Sequence, residues 1–368
     1  HAAELDIAGL HRRAVHCSYM ELKRREGVYM SMPLKVTAIV PAYNEERSIV
    51  ECVSSLIKQT RPPDEIIVVN DGSVDYTGPI VSMLTHIIDR LLVISLTKNS
   101  GNKALALKAG ARYVSGDIVV CLDADSELDP RYIEHIERRM KDPRVAAVSG
   151  RVVSRSHNLI THVRQLEYTL ADLLFKRGQD AMETIIVVPG VGGAIRADLF
   201  GKFLSADTVA EDMDLTFSVH EAGFKVVYEG KAIAYTQDPP NIRSYMRQIR
   251  RWYSGAFQCL KKHYLRLRLR LKLYLAMIIA ETLVWAATIT LAVAKELLTP
   301  ILSWIAAEFL IGLVLAYRSG GGLSYLAVPL LPFFRFLNLI EWIRSMVNEL
   351  MLNKKMTIWL RADRYEQT

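Results

Sequence analysis

Two long, mostly apolar runs constrain this chain more than any other feature. Leu273–Ala294 is 22 residues long and Ile301–Tyr317 is 17. A helix needs roughly 17–25 such residues to cross a bilayer. Hydrocarbon offers the backbone no hydrogen-bond partner, so such a run inside lipid must be helical. The linker "KELLTP" is short and makes the pair a hairpin. Basic "KKHYLRLRLRLK" precedes the first run and "RSGGG" follows the second, which puts both flanks on the cytoplasmic side. Each run carries one acid, Glu281 or Glu308. Intramembrane carboxyls face protein or water, and a helix–helix hydrogen bond is the simplest account of them. A third stretch, Leu323–Ile340, contains Pro329, Pro332 and Arg335. It reads as a broken span or an interfacial helix pair. Arg344, Lys354 and Lys355 beyond it favour the interfacial reading.

The N-terminal two thirds have a different texture. Residues 34–127 alternate short apolar strands with helical patterns: "KVTAIVPAY", "DEIIVVNDGS", "RLLVISLT" and "GDIVVCLDADS" are strands. Between them "ERSIVECVSSLIKQ", "TGPIVSMLTHI" and "NKALALKAGARYV" are helical. Near-continuous apolar strands separated by helices indicate a parallel α/β sheet. Ligands bind such sheets at the carboxyl ends of the strands. "PAYNE", "NDGS", "TKNSGNK" and "DADS" all fall there. Residues 131–260 are less regular. "VVPGVGGAIRADLF" is a Gly-rich turn leading into a helix, "TVAEDMDLTFSVHEAG" an acidic turn opening another, and "FKVVYEGKAIAYT" two short strands.

The formal net charge of +7 suits anionic partners such as acidic lipid or phosphorylated substrates. Cys17, Cys52, Cys121 and Cys259 are scattered without a CxxC pair, which argues for buried free thiols and against zinc. Residues 1–32 are charged and lack the apolar core of a secretory signal; they read as an N-terminal extension.

In "CLDADS", Asp123 and Asp125 stand two apart, and side chains two apart in an extended segment point the same way. Converging carboxylates repel unless a cation neutralises them, and hard oxygens suit Mg²⁺ or Mn²⁺. A lone DxD is more often a solvated acidic loop; the strand-end position favours metal. Asp71 ends the second strand, and Pro41, Tyr43 and Glu45 end the first. Ordinary turn chemistry explains either set alone, but together they suit a flat heterocycle and its ribose. Lys103 lies at a helix start, where a phosphate sits well.

The ordered set "VPAYNE", "VNDGS", "GNKALALKAG", "LDADS", "AED" and "QIRRW" resembles the membrane-embedded family-two glycosyltransferases, which include cellulose, chitin and hyaluronan synthases. The resemblance spans residues 36–252. It implies a cytoplasmic GT-A (Rossmann-like) domain, a nucleotide-sugar donor, Mn²⁺ or Mg²⁺, and a single inverting displacement at the anomeric carbon. Carried over by position, Pro41, Tyr43, Glu45 and Asp71 line the base and ribose, and Lys103 contacts the nucleotide or phosphates. Asp123 approaches the nucleotide and sugar, and Asp125, with Asp123, holds the metal. The family's T-E-D is here Ala210-Glu211-Asp212, which loses a hydroxyl and keeps both acids. Asp212 matches the general base and Glu211 its catalytic neighbour. A sugar hydroxyl is a poor nucleophile and gains from a carboxylate that takes its proton.

"YMRQIRRWYSGAF" holds the family's Q-x-x-R-W. Gln248 and Arg251 then face the diphosphate, and Trp252 stacks on the acceptor sugar. Membrane-interface anchoring by Trp and Arg is the plainer reading and can hold at the same time; it explains Arg250 better than Arg251. Gly190, Gly192 and Gly193 fall where the family has an acceptor loop, with different letters.

The expected map is an extension at 1–32, a glycosyltransferase domain at 33–240, and an interface-helix region at 241–270. Transmembrane or interfacial helices follow at 271–340, then a basic cytoplasmic tail at 341–368. The expected activity moves a hexose from a nucleotide sugar to a lipid-linked (polyprenyl or dolichyl) saccharide, with GDP-mannose the donor by analogy. Membrane lipid is a partner and nucleic acid is not. Two alternatives stand beside it: a processive polysaccharide synthase using a UDP-sugar, and a non-enzymatic basic membrane scaffold.

Overall fold

The computed structural model describes residues 33–357. The expectations for residues 1–32, for Cys17 and for the last eleven residues of the tail lie outside the described residues.

Among the described residues eight strands form one mixed sheet: β1 Val36–Ala42, β2 Glu65–Asn70, β3 Leu91–Ser95, β4 Ile118–Cys121, β5 Ser126–Leu128, β6 Val145–Ser154, β7 Ala194–Arg196 and β8 Lys225–Thr236. Their order is β3-β2-β1-β4-β7-β6-β8-β5. The first four are parallel neighbours. β7 runs antiparallel to both β4 and β6, and β8 returns parallel to β6. The parallel half is buried on both faces, and strand periodicity divides its residues between two cores. Val36, Ala38, Val40, Ile66 and Val68 point to one core; Ile39, Ile67 and Val69 point to the other.

The first core is closed by the Ile49–Ile57 helix, through Ile49, Cys52, Val53 and Leu56, and by the Tyr132–Met140 helix. The second is closed by the Lys103–Ala111, Ala197–Phe203 and Glu211–Glu221 helices. "FKVVYEGKAIAYT" forms one strand, not two. Its pairing with β6 skips from Glu229 to Ile233, so the bulge around Gly230 bends a continuous ladder without ending it. Cys52, Cys121 and Cys259 are buried free thiols.

The Ile242–His263 helix begins at Asn241, whose side chain caps Ser244 N at 2.9 Å. Beyond it, three helices among the described residues are long and apolar enough to cross a membrane: Leu269–Ala294, Leu298–Arg318 and Ser324–Met351. The first two form the expected hairpin, with the Trp285 and Trp304 rings 5.3 Å apart. The third is interrupted at Val328–Leu330, which contains Pro329 and lies just before Pro332, because proline removes a backbone donor. Glu308 meets Arg335 of the third helix at 3.5 Å, an ion pair where a helix–helix hydrogen bond was expected, while Glu281 is exposed.

The third helix also runs alongside the Ile242–His263 helix. Arg250 pairs with Glu341 at 2.8 Å, Ser254 with Ser345 at 3.3 Å and Gln258 with Glu349 at 2.9 Å. Each step is four residues on both helices, so the two run parallel and present matching polar stripes. This seam ties the soluble domain to the apolar region.

Candidate active site

A cleft of about 340 Å³ opens at the carboxyl ends of β1, β2 and β4, within the roughly 300–1,000 Å³ common for ligand sites. It brings together most of the residues singled out in the sequence. Pro41, Tyr43, Glu45, Asp71, Lys103, Asp123, Asp125, Gly190, Glu211, Asp212, Gln248, Arg251 and Trp252 all line it. Gly192 and Gly193 do not. Gly192 (φ +77°) accepts a hydrogen bond from the buried Tyr132 hydroxyl, and Gly193 N donates to Pro189 O at 2.9 Å. These two glycines fold the 188–193 loop so that Gly190 reaches the cleft.

The strand ends are held by their own polar turns. Asp71 accepts from Ser100 N at 2.9 Å and Ser100 Oγ at 2.8 Å, which fixes the 98–102 loop over β2. Burial raises the Asp71 carboxyl above its usual value even against these bonds. Gly72 (φ +66°) lies so close to the Lys98 and Asn99 backbone that no side chain fits there. Glu45 accepts from Ser48 Oγ at 2.9 Å, and its N–H donates to Thr77 Oγ1 at 2.7 Å.

Asp123 and Asp125 sit in a tight turn after β4, closed by Ser126 N donating to Asp123 O at 2.9 Å, rather than in extended chain. Both still border the cleft. Asp125 is buried and accepts from Ser126 Oγ at 2.9 Å. Among the described residues no group of three His, Cys, Asp or Glu side chains is placed to hold a metal. Two carboxylates on one wall still fit a hard divalent cation whose remaining positions are filled by phosphate oxygens and water, the usual arrangement for Mg²⁺ in nucleotide sites.

Lys103 is the first residue of a helix capped by Asn102, whose side chain accepts from Ala104 N at 2.9 Å. Its ammonium pairs with Asp123 and lies 3.5 Å from Glu211. Desolvation favours the neutral amine, but Asp123 and Glu211 outweigh it and hold the proton well above the ordinary lysine range. Glu211 is raised to about 7, by burial first and then by the neighbouring Asp212, with Lys103 pulling the other way. Asp212 begins the same helix, and Thr216 Oγ1 donates to its carbonyl at 2.7 Å. Thr216 also accepts from Val188 N at 2.9 Å, joining the acid pair to the Gly-rich loop. Gln248 Oε1 is buried and has no hydrogen-bond partner among the described residues.

Sequence reasoning missed several residues here. Asn99, Tyr168, Gln237 and Asp238 also line the cleft. Lys176, in a π-helical turn at Ala171–Lys176, donates to Val187 O at 2.5 Å. Burial lowers its ammonium to about 8, with Asp212 acting in the opposite sense. Such turns inside helices are frequent at functional sites, but nothing in the local sequence announces one.

A mixed sheet of this order, an acidic turn after its fourth strand and a cleft at the strand ends define a GT-A-like domain followed by apolar helices. Residues 37–204 match the family described as Glycosyl transferase family 2. It is 31% identical over 230 residues to a probable glycosyltransferase, YdaM, of Bacillus subtilis, covering 60% of this chain and 55% of that protein. It is 28% identical over 236 residues to the poly-β-1,6-N-acetyl-D-glucosamine synthase of Staphylococcus aureus, covering 62% and 56%. The chain thus spans little more than half the length of these relatives. Among solved structures, it resembles a mannosyltransferase of Pyrobaculum calidifontis in complex with GDP-Man and Mn²⁺. That likeness has a TM-score of 0.60 and 22% identity, and covers 95% of this chain and all of the other. At that identity it speaks for the fold.

Proposed function

We propose that the chain transfers a hexosyl group, with inversion, from a nucleoside diphosphate sugar to a hydroxyl of a lipid-linked saccharide at the cytoplasmic membrane face. One observation carries this reading. A single cleft is bordered by Asp212 and by Trp252, and the Trp252 helix is zipped to the third apolar helix. A proton acceptor and an aromatic platform thus lie beside a membrane-directed seam.

The donor's base and ribose lie against Pro41, Tyr43, Glu45 and Asp71. Its diphosphate lies towards Gln248 and Arg251, where a guanidinium binds phosphate oxygens. Asp123 and Asp125 would hold Mn²⁺ or Mg²⁺, which when bound would supply positive charge against the diphosphate. Asp212 takes the proton of the acceptor hydroxyl as its oxygen attacks the anomeric carbon; the bond from that carbon to the diphosphate breaks and the electron pair leaves with it. Lys103 keeps Asp123 and Glu211 together despite their like charge. The basic flanks of the apolar helices support the cytoplasmic orientation.

The Staphylococcus relative supports a second reading, a polysaccharide synthase taking a UDP-sugar. Melting of detergent-purified protein with GDP, UDP and their sugars, with and without Mn²⁺, tests both, because a ligand of the folded state raises the melting temperature. A metal-dependent shift with GDP-mannose is expected. A shift with UDP-sugars alone selects the second reading, and no shift with any nucleotide rejects both.

A further inference from the structure

The lining of the cleft includes a buried charge that sequence motifs leave unexplained. Asp238 follows β8 and is 1% exposed. Its Oδ1 accepts from the Tyr168 hydroxyl at 3.2 Å and from Arg164 Nε at 3.4 Å. Its Oδ2 has no hydrogen-bond partner among the described residues. The Ser154 hydroxyl bonds to Thr161 O at 3.3 Å and also pulls the Asp238 carboxyl downward. Leaving a buried carboxylate oxygen unpaired is costly, and Asp238 borders the cleft.

Arg164 explains how the carboxylate is held. It is buried, pairs with Glu167 at 2.5 Å, and donates to the Tyr168 hydroxyl at 3.0 Å. Its guanidinium carbon lies 4.7 Å from the Tyr168 ring centroid and 4.8 Å from that of Trp252. A guanidinium stacked on an indole fixes the ring plane. Arg164 therefore locks Trp252 and Asp238 to each other, 14 residues apart in sequence. Burial raises the Asp238 carboxyl against the pull of Arg164, so a further donor on Oδ2 would stabilise the ionised form.

We propose that Asp238 and Trp252, braced by Arg164, form a saccharide subsite in which Asp238 Oδ2 accepts a hydrogen bond from a ring hydroxyl of the acceptor. A carboxylate here repels a diphosphate, so the group it takes is neutral. A pyranose fits both features: its apolar face lies on an indole and its hydroxyls point outward from the ring edge. Asp238 is then a specificity-determining residue, because a site built to pair a hydroxyl rejects the sugar that lacks it. This deepens the function proposed above and rests on it.

The test uses saturation-transfer NMR on detergent-purified protein saturated with GDP or UDP and Mn²⁺. The probes are methyl α-mannoside, methyl β-glucoside and methyl β-N-acetylglucosaminide, each with its monodeoxy analogues. Wild-type protein should bind at least one glycoside. One deoxy position and the Asp238→Ala change should each weaken binding by roughly ten- to a hundredfold, as expected when a buried polar group loses its partner. Asp238→Asn keeps the side-chain volume and an Oδ1 acceptor, and should weaken binding of the same sugar without restoring the deoxy analogue. Nucleotide-dependent melting shifts report folding of both variants. Unchanged glycoside binding in variants that keep the nucleotide shift overturns the subsite, as does failure of every glycoside to bind wild-type protein. Loss of the nucleotide shift from wild-type protein overturns the glycosyltransfer reading instead, and an Asp238-dependent sugar signal would still support the subsite.

Discussion

Gly255 lies flush against Ala210. A methyl group on Gly255 would overlap that of Ala210 and come within 3.1 Å of Ala210 N. Ala210 immediately precedes Glu211 and Asp212, and Gly255 follows Trp252 by three residues on its helix. The alanine at this place, where the resembled family has threonine, is thus matched by a glycine across the contact. The two helices that carry the acid pair and the Gln248-Arg251-Trp252 set touch backbone to backbone.

Gly255→Ala should therefore force the helices apart. Overpacking of this kind costs about 1–3 kcal/mol, read as a lowered melting temperature. Transfer should fall further than stability alone explains, because Trp252 and Asp212 separate. Ala210→Thr should act the same way, and a variant with wild-type stability and rate would sink the account.

Asp212→Asn should keep nucleotide-sugar binding and lose transfer by about 10²–10⁴, the usual worth of a general base. Binding is followed by the melting shift and transfer by radiolabelled product. An equal loss of donor affinity would contradict the assignment.

Lys103→Met removes the cation beside Glu211, whose carboxyl already stands at about 7. Without it Glu211 should hold its proton to higher pH, and the acid limb of kcat/KM against pH should move upward. The sign for stability follows: a carboxyl raised on folding stabilises at low pH and loses that contribution as pH rises through about 7. An unmoved acid limb would show that Glu211 does not govern the profile.

His263 joins the two helices further down. Its Nε2 meets Asp214, and its Nδ1 lies 2.7 Å from Glu221; Lys262 reaches Asp214 at 2.9 Å and Arg266 reaches Glu221 at 3.2 Å. Burial disfavours the imidazolium, but the two carboxylates overcome it and raise His263 above its ordinary value. Its stabilising contribution is complete below about 6.5 and is lost as pH rises through the raised folded value. His263→Gln should lose roughly 3 kcal/mol at pH 6, with a smaller difference from wild type at pH 9. A pH-independent difference in denaturant unfolding would refute the clamp.

Much of this was legible in the sequence because it is local. Apolar strands ending in polar turns locate the cleft, since strand periodicity and turn chemistry act over a few residues. Apolar length gives the first two membrane-type helices, since bilayer thickness sets the count. Asp123, Asp125, Glu211, Asp212 and Trp252 stand out through motif and neighbours. Tertiary structure alone decided that Lys103 bridges Asp123 and Glu211, that Gly255 fits Ala210, that Arg164 braces Asp238 against Trp252, and that the third apolar helix runs parallel to the Trp252 helix. Those pairings join residues 14 to 108 positions apart. A buried charge is set by the partner that desolvation forces on it, and partners brought together by folding leave no periodicity in either segment.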